Sequence, residues 1–141
     1  MGLFKKASKP SQQAYAVVTG AGSGIGQSFA LELGKRGGTV VCADINLAAA
    51  EKTVSLLAEL GAKGFAVACD VGQAEQVAEL AEQAEQLMQH PVTLVINNAG
   101  VGLGGKFDEL SLEDWQWVTN VNLWGVIHGC HYFAPKFKKL G

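Results

Sequence analysis

The residues best placed to do chemistry lie in the glycine-rich stretch Thr19–Gly26, which reads Thr-Gly-Ala-Gly-Ser-Gly-Ile-Gly. The apolar run Ala14–Val18 leads into it, and a helical pattern, Ile25–Leu33, leads out of it. A strand, a glycine turn and a helix N-terminus together make an anion site, because the first helical N–H groups are unpaired and glycine lets a phosphate approach the backbone. The G-x-x-x-G-x-G spacing is neither the G-x-G-x-x-G fingerprint nor a P-loop. Alone it predicts a phosphate cradle of unknown specificity.

Asp44 follows this stretch at the distance that a dinucleotide site requires. It ends the apolar run Thr39–Ala43, 18 residues after Gly26. An acid in this position hydrogen-bonds the hydroxyls of the adenosine ribose and repels a 2′-phosphate. Neither residue beside it is basic, and the glycine stretch holds no Arg or Lys, so the pattern favours NAD over NADP. The alternative is that Asp44 only helps to start the next helix.

Two further polar residues follow later apolar runs, and the residues leave two interpretations open for each. Asp70 either caps the next helix or hydrogen-bonds the adenine amino group from the end of its strand. Asn98 is either a turn residue, because Asn tolerates left-handed backbone, or part of a segment beneath the cofactor.

Alternating strands and helices must position these residues. Their patterns predict strands at residues 13–20, 39–43, 64–69 and 92–96 and helices at residues 24–34, 47–60 and 73–89. Such alternation with short connections implies right-handed βαβ units and an open parallel sheet, hence an α/β fold with helices on both faces. Ligands of such sheets bind beyond the carboxyl ends of the strands, where the three polar residues lie.

Two more helices are predicted in the last third of the chain. Ser111 caps the first, and Asp114 three residues later makes a near capping box. The second runs from Asn122 to about Lys138, and Pro135 is expected to bend or end it.

Composition places the chain of 141 residues among soluble single domains, with 48% apolar and 17% charged residues. A net charge of −2 without a basic face argues against nucleic acid, and no apolar run approaches the roughly 20 residues of a membrane helix. The three cysteines are scattered, which is typical of reduced thiols in a cytoplasmic protein, and no metal site is predicted. We expect residues 1–12 to be a flexible, solvated lead-in and residues 13–141 to form the domain.

Five motifs together resemble the short-chain dehydrogenase/reductase family, in the family's order and approximate spacing. They are Thr19–Gly26, Asp44, Asp70-Val71, Asn97-Asn98-Ala99-Gly100 and Asn122-Leu123-Trp124-Gly125. The resemblance covers the chain from about residue 13 to its end. It implies a three-layer Rossmann fold that binds NAD(P) and transfers hydride to or from an alcohol or carbonyl substrate, and a homo-oligomer for the complete protein.

The resemblance also implies roles for individual residues. It implies that the cofactor's pyrophosphate contacts Gly20, Ser23, Gly24, Ile25 and Gly26, and that its ribose contacts Asp44. It implies that the adenine contacts Asp70 and Val71. It also implies that the segment beneath the cofactor, which stabilises the sheet as well, consists of Asn98, Ala99 and Gly100. It implies that Asn122 is the asparagine of the family's catalytic tetrad, whose local helix distortion holds a water in a proton relay. Gly72 departs from the family's usual Ser or Thr.

The family's catalytic Ser, Tyr and Lys have no match. Tyr132 and Lys136 fit Y-x-x-x-K, but Tyr132 lies only ten residues beyond Asn122 in the same helical run, and the last serine is Ser111. We therefore predict a core or interface role for Tyr132. We also expect the chain to be the cofactor-binding half of a longer enzyme and to be inactive alone. An apolar strand edge is expected at residues 93–96, and in the last helix we expect partial exposure of Trp124, Ile127, Tyr132 and Phe133.

Two functions compete at this point. One is an NAD-dependent oxidoreductase with this chain as its cofactor half, and the other is a non-catalytic NAD(H)-binding module. A following Ser and Y-x-x-x-K would identify the enzyme. The loop 102–107 is rich in glycine and gives no substrate preference.

Overall fold

A computed structural model describes residues 7–141, in which four parallel strands and their helices alternate. The elements in chain order are β1 (Tyr15–Thr19), α1 (Gly24–Lys35), β2 (Thr39–Asp44), α2 (Leu47–Glu59), β3 (Lys63–Ala68), α3 (Ala74–Met88), β4 (Leu94–Ile96), α4 (Leu112–Thr119) and α5 (Gly125–Leu140), with a π-helical turn (Asn120–Trp124) between the last two. The predicted α/β class is confirmed, and each strand and helix up to β4 appears within two residues of its predicted bounds.

The sheet has the strand order β3-β2-β1-β4, and every neighbouring pair is parallel. Both faces are buried, which explains the nearly continuous apolar strand sequences. On one face Val17 and Val41 pack with α3 and with Phe133 of α5. On the other face Ala16 and Val40 pack with α1 and α2. The chain therefore forms three layers.

Local signals set the helix ends as the sequence predicts. The Asn46 side chain caps α2 by accepting from the Ala49 N–H at 3.1 Å, and Gly61 follows that helix at φ +73°. Ser111 and Asp114 complete a capping box at α4, with bonds of 3.0 and 3.2 Å.

The two predicted C-terminal helices are one continuous rod from Leu112 to Leu140, because the π turn joins them without a break. The predicted helix end near Lys138 is confirmed to within two residues, and of the two effects expected of Pro135, ending the helix is not observed. Pro135 lies inside α5, which continues for five more residues. Proline removes one backbone hydrogen bond there, but Lys136 and Phe137 pack against α3 and the core, so the last turn keeps its tertiary support.

Strand β4 lies at the edge of the described sheet, as predicted, and its three residues are half-buried. Exposed apolar side chains lie in the π turn and in α5, including Trp124 and Ile127. The expectation of partial exposure was wrong for Phe133, which is 1% exposed and belongs to the core. No helix in residues 7–141 is both long enough and apolar enough to cross a membrane.

Candidate dinucleotide site

A cavity of about 470 Å³ opens at the carboxyl ends of the strands, between the segments that follow β1 and β4. The connections leave those two adjacent strands in opposite directions, which makes this the topological switch point where α/β sheets bind ligands. All eleven residues predicted for cofactor binding line the cavity: Gly20, Ser23, Gly24, Ile25, Gly26, Asp44, Asp70, Val71, Asn98, Ala99 and Gly100. The topology thus brings together residues that are 80 positions apart in sequence.

Each glycine of the first loop meets a different steric demand. Gly20 and Gly24 have φ of +66° and +53°, which is the left-handed region that favours glycine. A side chain at Gly20 would also come within 2.8 Å of the Ala99 Cα, and one at Gly26 would overlap the Gly20 carbonyl oxygen. This close packing brings the N-terminus of α1, with its unpaired N–H groups, to the cavity wall.

Asn98 ties the end of β4 to the glycine loop. Its side-chain amide donates to the Thr19 carbonyl oxygen at 3.1 Å, and the Thr19 hydroxyl accepts from the backbone N–H of Asn98 and of Ala99, both at 3.1 Å. Thr19 is itself buried. The left-handed turn that is one interpretation of Asn98 is not observed, because Asn98 is not among the residues with positive φ. Its amide instead fixes the floor of the cavity that it lines.

Asp44 supports both the loop and the next helix. Its Oδ2 accepts from the Gly22 N–H at 2.8 Å, and its Oδ1 accepts from the Asn46 N–H at 2.9 Å. The simpler alternative, that Asp44 helps to start α2, is therefore part of its role. A carboxylate has about four acceptor positions, so two remain for ribose hydroxyls. Among residues 7–141, no Lys or Arg lines the cavity.

Asp70 fixes the turn before α3 rather than capping that helix. Its carboxylate accepts from the Gly72 N–H at 2.9 Å, while Gln73 occupies the N-cap position without a side-chain capping bond. The carboxylate faces the same cavity as Val71.

The cavity also has five lining residues that sequence reasoning missed: Ile45, Cys69, Val101, Trp117 and Val121. The first three are direct sequence neighbours of predicted residues, so their place in the cavity lining could have been predicted from that adjacency. Burial and neighbouring acids raise the pKa of the Cys69 thiol to about 11, so the thiol is neutral at pH 7. Trp117 and Val121 lie one helical turn apart on the rod, and no strand-end pattern points to them.

Asn122 lies in the π turn, so the helix distortion that the resemblance implied is present. Its side chain pairs twice with the backbone of Val101. The Oδ1 accepts from the Val101 N–H, and the Nδ2 donates to the Val101 carbonyl oxygen, both at 2.8 Å. Asn122 thereby holds the cavity wall, while its role in catalysis remains a proposal.

Tyr132 and Lys136 lie away from the cavity. The Lys136 ammonium donates to Glu82 at 2.9 Å and to Glu85 at 3.0 Å, both on α3, and Tyr132 packs against the core. The pair of carboxylates raises the pKa of Lys136, first through the hydrogen bond to Glu82.

Comparison with known proteins identifies the class. The family model for the short chain dehydrogenase matches residues 14–141. Cyclohexanol dehydrogenase of Acinetobacter sp. is 40% identical over 127 residues, which are 89% of this chain and 50% of that protein. 7alpha-hydroxysteroid dehydrogenase of Escherichia coli is 33% identical over 126 residues, or 89% of this chain and 49% of that protein. The crystal structure of a short chain dehydrogenase/reductase from Burkholderia phymatum in complex with NAD superimposes with a TM-score of 0.89 and 41% identity, over 94% of this chain and 47% of that one.

The chain therefore belongs to the short-chain dehydrogenase/reductase family. The relatives named above are oxidoreductases, and the solved structure has a Rossmann fold. The chain spans about half the length of these relatives.

Proposed function

We propose that the chain is the cofactor-binding part of an NAD-dependent oxidoreductase that moves hydride to or from an alcohol or carbonyl substrate. The observation that carries the proposal is the single cavity at the switch point, where the glycine loop, Asp44, Asp70 and Asn98 meet. The likeness to a relative solved with NAD supports the choice of ligand. The relatives oxidise or reduce hydroxyl compounds by name, which supports the substrate class.

Each lining group has a definite task in this proposal. The N–H groups at the start of α1 bind the pyrophosphate, and Asp44 accepts hydrogen bonds from the ribose hydroxyls. Asp70 accepts from the adenine amino group beside the apolar Val71. The nicotinamide would supply the hydride chemistry, and the helix distortion at Asn122 would hold a water for proton transfer.

Preference for NAD follows from charge. A 2′-phosphate beside Asp44 would meet a carboxylate without a compensating cation, since the described cavity wall has no Lys or Arg. The scattered thiols favour a reducing, cytoplasmic compartment.

A non-catalytic NAD(H)-binding module is the second candidate, and the position of Lys136 favours it for the chain as given. Lys136 is occupied by two carboxylates of α3, so it supplies no cation to lower the pKa of a catalytic tyrosine. The two candidates share the binding step and differ in turnover.

Calorimetric titration of the purified chain with NAD and with NADP tests the proposal. We expect NAD to bind at least about tenfold more tightly than NADP, which is a difference of about 1.4 kcal/mol in binding free energy.

NAD should also change the tryptophan fluorescence because Trp117 lines the cavity. Trp117→Phe should remove that change, whereas Trp115→Phe, a control at a residue that pairs with Phe107 instead, should keep it. Absence of NAD binding, or a preference for NADP, would contradict the proposal. Cyclohexanol oxidation by the chain alone would contradict the module.

A further inference from the structure

Thr53 is a buried polar residue in the middle of α2. Its hydroxyl donates to the Ala21 carbonyl oxygen at 2.8 Å, while its other possible acceptor, the Ala49 carbonyl oxygen, is 3.4 Å away. A buried hydroxyl is tolerated only when it is hydrogen-bonded, and valine would fill the same space without that requirement. The hydroxyl therefore points to a role in the loop that contains Ala21.

Gln27 of α1 orients this hydroxyl. Its side-chain amide donates to the Thr53 oxygen at 3.0 Å, which occupies a lone pair and leaves the hydroxyl proton for Ala21. A hydroxyl that accepts a hydrogen bond also donates more strongly. The result is a chain of two hydrogen bonds from α1 through α2 to the glycine loop.

The same arm of the loop has two more anchors, both in β2. The Ala21 N–H donates to the Ala43 carbonyl oxygen at 3.1 Å, and the Gly22 N–H donates to Asp44 at 2.8 Å. With Thr53, three polar backbone groups of Ala21 and Gly22 are fixed to β2 and α2. The turn that follows, Ser23 and Gly24, is thereby placed relative to the sheet.

We propose that Thr53, oriented by Gln27, is a positioning residue for the dinucleotide site. Neither side chain lines the cavity, so neither touches the cofactor. Thr53 acts through Ala21, by holding the loop where the first N–H groups of α1 meet the pyrophosphate. That placement matters because the favourable interaction of an anion with a helix end falls off within one turn. The inference rests on the proposed NAD binding.

Two substitutions separate this role from a contribution to stability. Thr53→Val keeps the shape and removes the hydroxyl, so we expect NAD affinity to fall about fivefold, a typical effect of one hydrogen bond. The melting temperature should fall as well, because the Ala21 carbonyl oxygen loses its buried partner. Thr53→Ser keeps the hydroxyl and removes a buried methyl group, so we expect a lower melting temperature with nearly unchanged NAD affinity. Ser55→Ala is the matched control, because that exposed hydroxyl on the same helix bonds only to Glu51.

NAD dissociation constants are measured by calorimetry at a temperature where every variant is folded, and hydrogen exchange is followed at residues 22–26. Faster exchange there in Thr53→Val supports the inference. Unchanged NAD affinity in Thr53→Val overturns it while leaving the proposed function intact, whereas absence of NAD binding by the unmodified chain overturns both. If Thr53→Val does not fold, Gln27→Met tests the same link: NAD binding weakened about twofold supports it, and unchanged binding overturns it.

Discussion

At the scale of single residues, Asp44 has two roles that one mutation would disturb together: it supports the glycine loop and it faces the cavity. Its two oxygens hold the N–H groups of Gly22 and Asn46, and the same carboxylate faces the cavity. Removing the side chain therefore disturbs the loop as well as the ribose contact. Position 22 has no room for a side chain, since a Cβ there would lie 2.7 Å from the Asp44 Oδ2. Two different substitutions of Asp44 are therefore needed to distinguish the effect of its charge from the effect of its support for the loop.

Asp44→Ala should weaken NAD binding and relax discrimination against NADP. We expect a loss of about tenfold or more for NAD, because both the ribose acceptor and the support of Gly22 are lost. Asp44→Asn should keep one acceptor for the loop and remove the charge, so NADP should gain relative to NAD with a smaller loss of NAD affinity. Titrations with both dinucleotides measure the ratio, and Asp108→Ala serves as an exposed acidic control. An unchanged ratio in both variants would refute the ribose role.

The lining of the cavity shows which residues a sequence can predict. Gly20, Asp44 and Asp70 lie at the ends of strands or within two residues of them, so strand order and the rule of carboxyl ends place them without further information. Trp117 and Val121 belong to the helical rod that begins at Leu112, with 15 residues between it and the end of β4 at Ile96. Their approach to the cavity depends on how that helix packs, and a single sequence does not define the rotation of a helix after a long loop.

At the scale of elements, Lys136 of α5 lies between two carboxylates of α3 and adds a polar contact to the apolar packing of Phe133 between the two helices. Glu85 serves this contact and also accepts from the Val92 N–H at 3.2 Å, so the site joins two helices and the start of the segment leading to β4. The Lys136 side chain is 14% exposed, which limits screening by water. This contact helps to explain how α5 continues past Pro135 to Leu140.

Lys136→Met should lower the melting temperature by roughly 4 °C near pH 7. The pKa of Glu82 is lowered below its ordinary value of 4.5 by the hydrogen bond from Lys136, so this stabilisation is present above pH 4.5 and is lost as pH falls through the lowered pKa. The pKa of Lys136 is raised above 10.5, so the stabilisation is complete below that pH and is lost as pH rises through the raised value.

The measurement is a set of melting curves from pH 3 to 11 for the unmodified chain and for Lys136→Met. The difference between them should be widest between about pH 5 and 10 and should narrow at both ends. Lys138→Met is a suitable control, because Lys138 is an exposed lysine in the same last turn of the helix. A difference that stays constant across the acid limb would exclude a contribution from Glu82.

At the scale of the whole molecule, the described sheet is covered by helices on the face under α1 and α2 but has an unpaired strand edge at β4. The face under α1 and α2 is closed by small buried residues such as Ala30 and Ala50. Beyond β4 the described chain offers an unpaired strand edge and, beside it, a helix with Trp124 and Ile127 at 46% and 41% exposure. Apolar surface next to an open strand edge is a site for association, because both the backbone groups and the side chains lack partners.

The chain of 141 residues should therefore self-associate, and α5 should contribute to the contact. Sedimentation velocity over a concentration series should show weight-average size rising with concentration, since burial of apolar area drives the contact. Ile127→Lys should shift the distribution toward monomer, because it places a charge on the exposed face of α5 without touching the core. Leu60→Lys, at a residue of similar exposure (47%) that follows α2 on the opposite side of the sheet, should not. A sharp monomeric profile with a cooperative melt would show instead that the edge and the exposed helix face are tolerated in water.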